Sequence, residues 1–463
     1  MTQSEIGPEV VDALRAIVGP GALMVGEGVV EDYLHDEALT AQWNRPLAVV
    51  FPTSTDEVAE VMRLCVLHRL PVTPRGSGTG LAGGAIAGPG GIVLSLERMA
   101  TILHVDPLSQ VAHVQAGVTL AQLDEHLAPL GLTYPVFPGE QSASIGGNVA
   151  TNAGGMRAVK YGVTRHQVLG ATFVTGAGEV ISTGGAYVKS STGYDLTQLI
   201  IGSEGTLGIV TEVLLRLYPR PTFTRTLLAP FADGAKLLTL VPPLLHADPR
   251  PLLIEYLEAG GLGVMAERVG LDLGIPIQVK SAATAYVMVC VEALTEDELD
   301  RQSTRAAEVI TSAGALEIYA LEGVTAQRLL EAREGALWAV KSMGVNDLLD
   351  AVVPRAAIPE FMARVVAIAE ETGSFIPGAG HLGDGNIHLS LFQSDPTKRH
   401  VAIDAVLSAA IELGGTISAE HGIGTEKRSY FEALEDPSKI ALMQGIKRVF
   451  DPNGILNPGK VFE

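Results

Sequence analysis

The stretch PRGSGTGLAGGAIAGPGG, residues 74–91, restricts what this chain can fold into more than any other. It contains a literal G-x-G-x-x-G at Gly78, Gly80 and Gly83. In a doubly wound dinucleotide fold that motif must open a helix, whose first amides hold the pyrophosphate. Here it runs on into GGAIAGPGG, which cannot begin a helix, and the Rossmann reading is rejected. Consecutive glycines and small residues can still curl into a nest of backbone N–H groups around phosphate. Two more stretches share this character, FPGEQSASIGGNVATNAGG (137–155) and GSEGTLGIVTE (202–212). One such loop reads most simply as a tight turn. Three in one region point to an extended pyrophosphate-binding surface.

The rest of the chain supports two α+β domains. Ser54 and Glu57 form a capping box ahead of a helix over 54–70. Strand-like runs at 47–51, 71–74, 91–96, 101–106 and 110–117 surround it, and a helix over 119–130 stops at Gly131. Residues 170–183 read as a hairpin turning at 176–178, and 208–219 as a further strand. From 223 the glycine loops give way to alternating strands (252–257, 285–294) and helices (295–313, 324–341, 396–412, 436–450).

Composition removes several functions. Thirty-two basic against 52 acidic residues leave a net charge of −20, which disfavours nucleic acid as a partner. Cys65 and Cys290 are the only cysteines, too few for an iron–sulfur cluster and no basis for a disulfide framework. There is no secretion-type leader in MTQSEIGPEVVDALRAIVG, and no apolar run reaches the ~20 residues a bilayer requires. A cytoplasmic protein is expected.

Three of the 11 histidines fall in two short clusters, GHLGDGNIHL (380–389) and SAEHGIGTEKRSYF (418–431). In one uninterrupted strand His381 and His388 would face opposite sides. The Gly383-Asp384-Gly385 corner breaks that alternation and can bring both imidazoles together. With Glu420 they would offer two nitrogens and one carboxylate oxygen, a set suited to catalytic Zn²⁺ or Mn²⁺ with positions left for substrate. For a lone histidine pair, core residues beside a turn is the plainer reading. Adjacent Glu420-His421 in a glycine-bounded loop shifts the balance towards the metal.

Together, the three glycine loops, GHLGDGNIH, EHGIG and the ending DPNGILNPGK resemble flavoproteins with a vanillyl-alcohol-oxidase-type (PCMH-type) FAD domain. The branch is that of the D-2-hydroxy-acid dehydrogenases: D-lactate dehydrogenases, D-2-hydroxyglutarate dehydrogenase and the flavin subunit of glycolate oxidase. The resemblance implies a two-lobed FAD-binding domain over 1–220 and an antiparallel-sheet cap domain, covered by helices, over 221–418. A segment at 419–463 would pack back on the FAD domain.

By motif, Arg75, Gly76, Ser77, Gly78 and Thr79 would line the FAD pyrophosphate. Pro138, Gly139, Ser144, Gly146, Gly147, Asn152 and Gly155 would follow the cofactor towards its ring, with Glu204, Gly205 and Ile209 at the adenine end. Relatives that tether flavin do so through a histidine in the stretch matching 75–79; none stands there, so FAD is expected to be non-covalent. The resemblance also places metal ligands on His381, His388 and Glu420. His421 would then serve as base for the hydroxyl proton, its imidazole titrating near working pH. Lys341, Arg355, Lys427 and Arg428 are candidates for the substrate carboxylate; relatives commonly carry arginine where Lys341 stands, and lysine lacks the bidentate fork.

The implied activity is oxidation of a small D-2-hydroxy acid, D-lactate or glycolate ahead of 2-hydroxyglutarate. The implied electron acceptor is a quinone, an electron-transfer flavoprotein, a cytochrome or a partner Fe–S subunit, met peripherally at a membrane, with a homodimer as the assembly. The rival readings are an O₂-using oxidase, a flavin-binding subunit of a glycolate oxidase complex, and a metal-dependent hydrolase, which would leave the glycine loops unexplained.

Overall fold

Ser54 starts the first long helix through its side chain, which accepts the Glu57 N–H at 3.2 Å, and the helix runs Thr55–His68. The expected capping box is only half made, because the Glu57 carboxylate reaches past Ser54 to the N–H of Thr53 at 2.6 Å. A stripe of Val58, Ala59, Val61, Met62 and Cys65 is buried and packs the helix onto a sheet. The computed structural model describes residues 6–246 and 250–462. It divides into two units: residues up to 153, 163–219 and from 420 onward form the first, and residues 154–162 and 220–419 the second.

In unit 1 the strands β1 (Leu23–Val25), β2 (Ala48–Val50), β3 (Val72–Arg75) and β4 (Ile92–Ser95) form a sheet in the order β1-β2-β4-β3. β2, β4 and β3 are parallel, and β2 and β4 are wholly buried. That burial accounts for their unbroken apolar runs. Residues near the chain's end extend this sheet: the Val72 N–H donates to the Ile455 carbonyl at 2.8 Å, and the Asn457 N–H to the Val72 carbonyl at 2.7 Å.

A second, antiparallel sheet holds β5 (Ile102–Asp106), β6 (Val111–Gln115), β8 (Val168–Val174), β9 (Val180–Gly184) and β10 (Ile209–Arg216), in the order β5-β6-β10-β8-β9. A short pair, β7 (Leu132–Thr133) and β11 (Tyr218–Pro219), stands apart from it. The helix expected over 119–130 is α-helical only over Leu120–Leu127. It tightens to a 3₁₀ turn at Ala128–Leu130, around Pro129, and ends on Gly131 at φ 66°.

Unit 2 is built on one antiparallel sheet of β12 (Phe223–Phe231), β13 (Leu253–Glu258), β14 (Ala285–Ala293), β15 (Tyr319–Leu321), β16 (Asp347–Val352), β17 (Gly378–His381) and β18 (Asn386–Leu391). The order is β15-β12-β14-β13-β17-β18-β16. Every residue of β14 is buried, so both faces of the sheet are covered at its centre. Helices Glu296–Ser312, Ile358–Thr372 and Pro396–Glu412 supply much of the cover. The single helix expected over 324–341 is two, Gly323–Glu334 and Ala336–Ser342, parted at Gly335. Glycine is where a helix breaks at least cost, having the most backbone freedom to lose by continuing.

Candidate active site

In unit 1 a cleft of about 200 Å³, partly open to solvent, lies between the glycine loops. Of the residues expected to hold FAD, Arg75 to Thr79, Pro138, Ser144, Gly146, Gly147, Glu204, Gly205 and Ile209 line it, as do Glu420 and His421. Gly139, Asn152 and Gly155 do not line it. Asn152 ends the short helix Ile145–Thr151 at φ 54°, and its side chain accepts the Arg165 N–H at 3.0 Å. Gly155 belongs to unit 2.

The glycines are there for close approach. A Cβ on Gly76 would come within 2.2 Å of the Ser144 hydroxyl, and one on Gly146 within 2.6 Å of the Ala116 methyl. Under the first loop, the buried Arg75 guanidinium donates to the Asp32 carbonyl at 2.6 Å and the His35 carbonyl at 2.7 Å. Its charge therefore ties the loop to residues 32–35. Backbone N–H groups and hydroxyls of the cleft would join it in holding an anion. Asp36, also buried, ties neighbouring loops by accepting the N–H groups of Ala38 (3.1 Å) and Ala85 (3.3 Å), and burial pushes its carboxyl above the usual range.

Two polar groups on the cleft wall fit a bound cofactor and were not singled out in the sequence. The amide nitrogen of Asn148 and the hydroxyl of Ser203 are shielded from water, and neither has a hydrogen-bond partner. A ligand rich in acceptor oxygens, as FAD is, would satisfy both.

Glu204 does more than line the wall. Its Oε1 accepts the Ile423 N–H and its Oε2 the Gly424 N–H, each at 2.7 Å. The carboxylate thus clamps the loop that carries Glu420 and His421. Loss of water raises its pKa, while the two N–H donors and nearby Lys427 and Lys460 pull it back. Lys460, buried in turn, is lowered to about 8, chiefly by the same loss of water.

In unit 2 the Gly383-Asp384-Gly385 corner closes a hairpin in which His381 pairs with Asn386 and Ala379 with His388. Residues opposite each other across an antiparallel pair share a face, so both imidazoles point the same way. Their Nε2 atoms lie 3.1 Å apart. His381 Nδ1 lies 2.7 Å from Glu255 Oε1, on the neighbouring strand β13, and Arg333 Nη2 lies 2.9 Å from the other Glu255 oxygen. Glu255 and Asp350 are 0 % exposed. Asp350 Oδ1 stands 3.4 Å from His388 Nδ1. Asp350 also accepts from Asn386 Nδ2 (2.8 Å), the Ala419 N–H (3.0 Å) and the Ser418 hydroxyl (3.1 Å). Glu420 and His421 are the next residues along the chain.

The Glu255 carboxylate on His381 Nδ1 favours the tautomer whose Nε2 can act as a ligand, and the Nε2 of His388 faces it. A cation between the two nitrogens would be held by both. Nitrogens bound about 2.0–2.1 Å from a metal sit about 2.9 Å apart at a right angle and about 3.3 Å apart at the tetrahedral angle. The 3.1 Å separation falls between, and carboxylates on the far nitrogens are the usual support of histidine ligands. The residues fit a divalent ion.

The four cations proposed for a substrate carboxylate fall two in each unit. Lys341 lies with its Nζ 5.0 Å from the centre of the Trp338 ring, and Arg355 is exposed ahead of the helix Ile358–Thr372. Lys427 and Arg428 belong to unit 1, where Lys427 is buried and Arg428 donates to the Gly459 carbonyl at 3.1 Å. Glu255, Asp350 and Arg333 escaped the sequence reading. A carboxylate inside LLIEYL or DLLDAVV, otherwise apolar and strand-like, was the available signal, since such a charge is buried only with a partner.

Residues 46–184 match the family described as FAD binding domain, and residues 220–461 that described as FAD linked oxidases, C-terminal domain. An uncharacterized FAD-linked oxidoreductase of Mycobacterium tuberculosis is 47% identical over 446 residues, 96% of this chain and 97% of that one. A D-lactate dehydrogenase of Anaerostipes hadrus is 38% identical over 467 residues, 99% and 98% of the two chains. The crystal structure of p-cresol methylhydroxylase with substrate bound shares the fold, with a TM-score of 0.79 at 19% identity over 98% of this chain and 96% of the other.

Proposed function

The chain belongs to the FAD-linked oxidoreductases that include D-lactate dehydrogenase, a glycolate oxidase subunit and D-2-hydroxyglutarate dehydrogenase, and from that premise we propose that it oxidises a small D-2-hydroxy acid, D-lactate or glycolate, to the 2-oxo acid. A flavin cleft alone would suit many donors. The observation that carries the substrate class is the paired Nε2 atoms of His381 and His388, each ring backed by a carboxylate. A 2-hydroxy acid presents a hydroxyl and a carboxylate that chelate one divalent ion.

In this reading His381, His388 and Glu420 hold Zn²⁺ or Mn²⁺, and the cleft holds non-covalent FAD. Bound FAD would supply the acceptor for the Cα hydride, and a bound metal would supply a Lewis acid that lowers the pKa of the substrate hydroxyl. His421 accepts the hydroxyl proton, a task for a neutral imidazole. Glu255, tied to Arg333, fixes the orientation of the His381 ring. Lys341 and Arg355 are assigned to the substrate carboxylate.

Reoxidation falls to an outside acceptor: a quinone, an electron-transfer flavoprotein, a cytochrome or a partner Fe–S subunit. Cys65 and Cys290 are both buried, and an iron–sulfur cluster takes about four thiolates, which supports an acceptor beyond this chain. Among the described residues no helix is long and apolar enough to cross a membrane, so this reading makes membrane contact peripheral, through the acceptor, for a cytoplasmic homodimer.

The test is anaerobic mixing of the metal-loaded flavoprotein with D-lactate, glycolate, D-2-hydroxyglutarate and L-lactate. D-Lactate or glycolate should bleach the flavin, and acid precipitation should leave FAD in the supernatant. Failure of every 2-hydroxy acid to bleach it would remove the substrate class. Peroxide formed in air at the rate of flavin reduction would make the protein an oxidase.

A further inference from the structure

Glu204 stands at φ 51°, in left-handed backbone that a glutamate rarely adopts. Such strain is kept where the side chain is needed in one place. What the side chain does there is accept two consecutive backbone N–H groups, from Ile423 and Gly424, at 2.7 Å each. The loop is shaped to receive it. Gly422 sits at φ 84°, where a Cβ would come within 3.0 Å of the Glu204 carboxylate, and Gly424 at φ 50°, where a Cβ would lie 1.8 Å from the Ala82 carbonyl. Glu204 is itself held, its N–H donating to the Ala150 carbonyl (2.7 Å) and its carbonyl accepting from Asn457 (2.8 Å). Glu204 and His421 line the same cleft.

Resting on the reading of His421 as the base, we infer that Glu204 is the positioning residue that fixes the His421 imidazole in the cleft by clamping the backbone immediately after it. This part is additional to lining the cofactor cleft. The carboxylate uses both oxygens on the 421–424 loop, one on each of two consecutive N–H groups. Glutamine at this position would keep one acceptor and turn an NH₂ towards the second N–H, setting donor against donor.

The experiment is a double-mutant cycle on the FAD- and metal-loaded protein, read by anaerobic single-turnover flavin reduction. His421→Asn should slow reduction about 10²–10⁴-fold, the loss expected for a general base. Glu204→Gln should slow it up to about 10²-fold, as a misplacement near 1 Å does, with the rate taken per bound FAD and metal. In the double variant the Glu204 effect should vanish, leaving the rate of His421→Asn alone. Should Glu204→Gln fold poorly, Gly422→Ala attacks the same clamp from the loop side and should show the same dependence on His421.

Multiplying losses in the double variant, a normal rate in Glu204→Gln, or loss of FAD in place of rate would each overturn the positioning role while leaving the base in place. A normal reduction rate or loss of metal in His421→Asn would instead overturn the base assignment, and the positioning role with it.

Discussion

In unit 1 the cleft walls are mostly backbone: glycines that let loops approach within a methyl group's width, with Arg75 and Asp36 spent on holding those loops together. In unit 2 the histidine face is made of side chains on regular strands, where register alone puts Glu255, His381, His388 and Asp350 on one side of the sheet. The first site takes its shape from what the residues lack, the second from what they carry. The two kinds of site should therefore fail differently. A lost side chain empties the second, and an added one spoils the first.

The largest effect should come from His388→Ala. Removing one of two converging nitrogens should abolish metal retention and turnover while the flavin stays bound, which metal analysis and the absorption spectrum of the purified variant will show. Flavin lost along with the metal would break the separation between the sites. Glu255→Gln is subtler, since the amide keeps the shape but gives up the charge that supports His381. A tenfold to hundredfold loss of metal affinity is expected for such a partner, measured by titration with a competing chelator. Unchanged affinity would make the carboxylate a packing residue only. The smallest effect is expected from Gly146→Ala, whose methyl would press on Ala116 at 2.6 Å, against backbone-anchored atoms that cannot swing away. Overpacking of this kind costs about 1–3 kcal/mol, so FAD should bind about tenfold more weakly at unchanged metal content. FAD titration of the apoprotein would decide it.

The contrast also explains what could be read in the sequence. Glycine punctuation is local, so the three loops stood out, and the Gly383-Asp384-Gly385 corner foretold that His381 and His388 share a face. Ser54 and Gly131 mark helix ends for equally local reasons. Glu255 lies 126 positions before His381, and Asp350 is 38 before His388; only strand order brings them together, and no short motif encodes strand order. The stretch 137–155, read as one glycine loop, contains the helix Ile145–Thr151, because Ser144 caps it and Gly146 in its first turn clears Ala116. Arg75 was expected to line the pyrophosphate; it lines the cleft, and the two carbonyls that its guanidinium also holds, of Asp32 and His35, stand about forty residues earlier.

The route of the chain through unit 1 bears on how the protein is made. Asn457 reaches Gly84 across 373 positions, Glu204 reaches Ile423 across 219, and β3 gains its last neighbour from residues 455–457. Synthesis proceeds at about 5–20 residues per second, and domains tend to fold as the ribosome releases them. Unit 2 has every one of its strands once residue 391 has emerged, whereas unit 1 waits for residues beyond 420. Until then β3 presents an unpaired edge, and the floor of the cleft lacks the loop that carries His421. The nascent chain thus has its most exposed stage in unit 1, and that unit can take up a cofactor in full only once residues 420–457 have emerged.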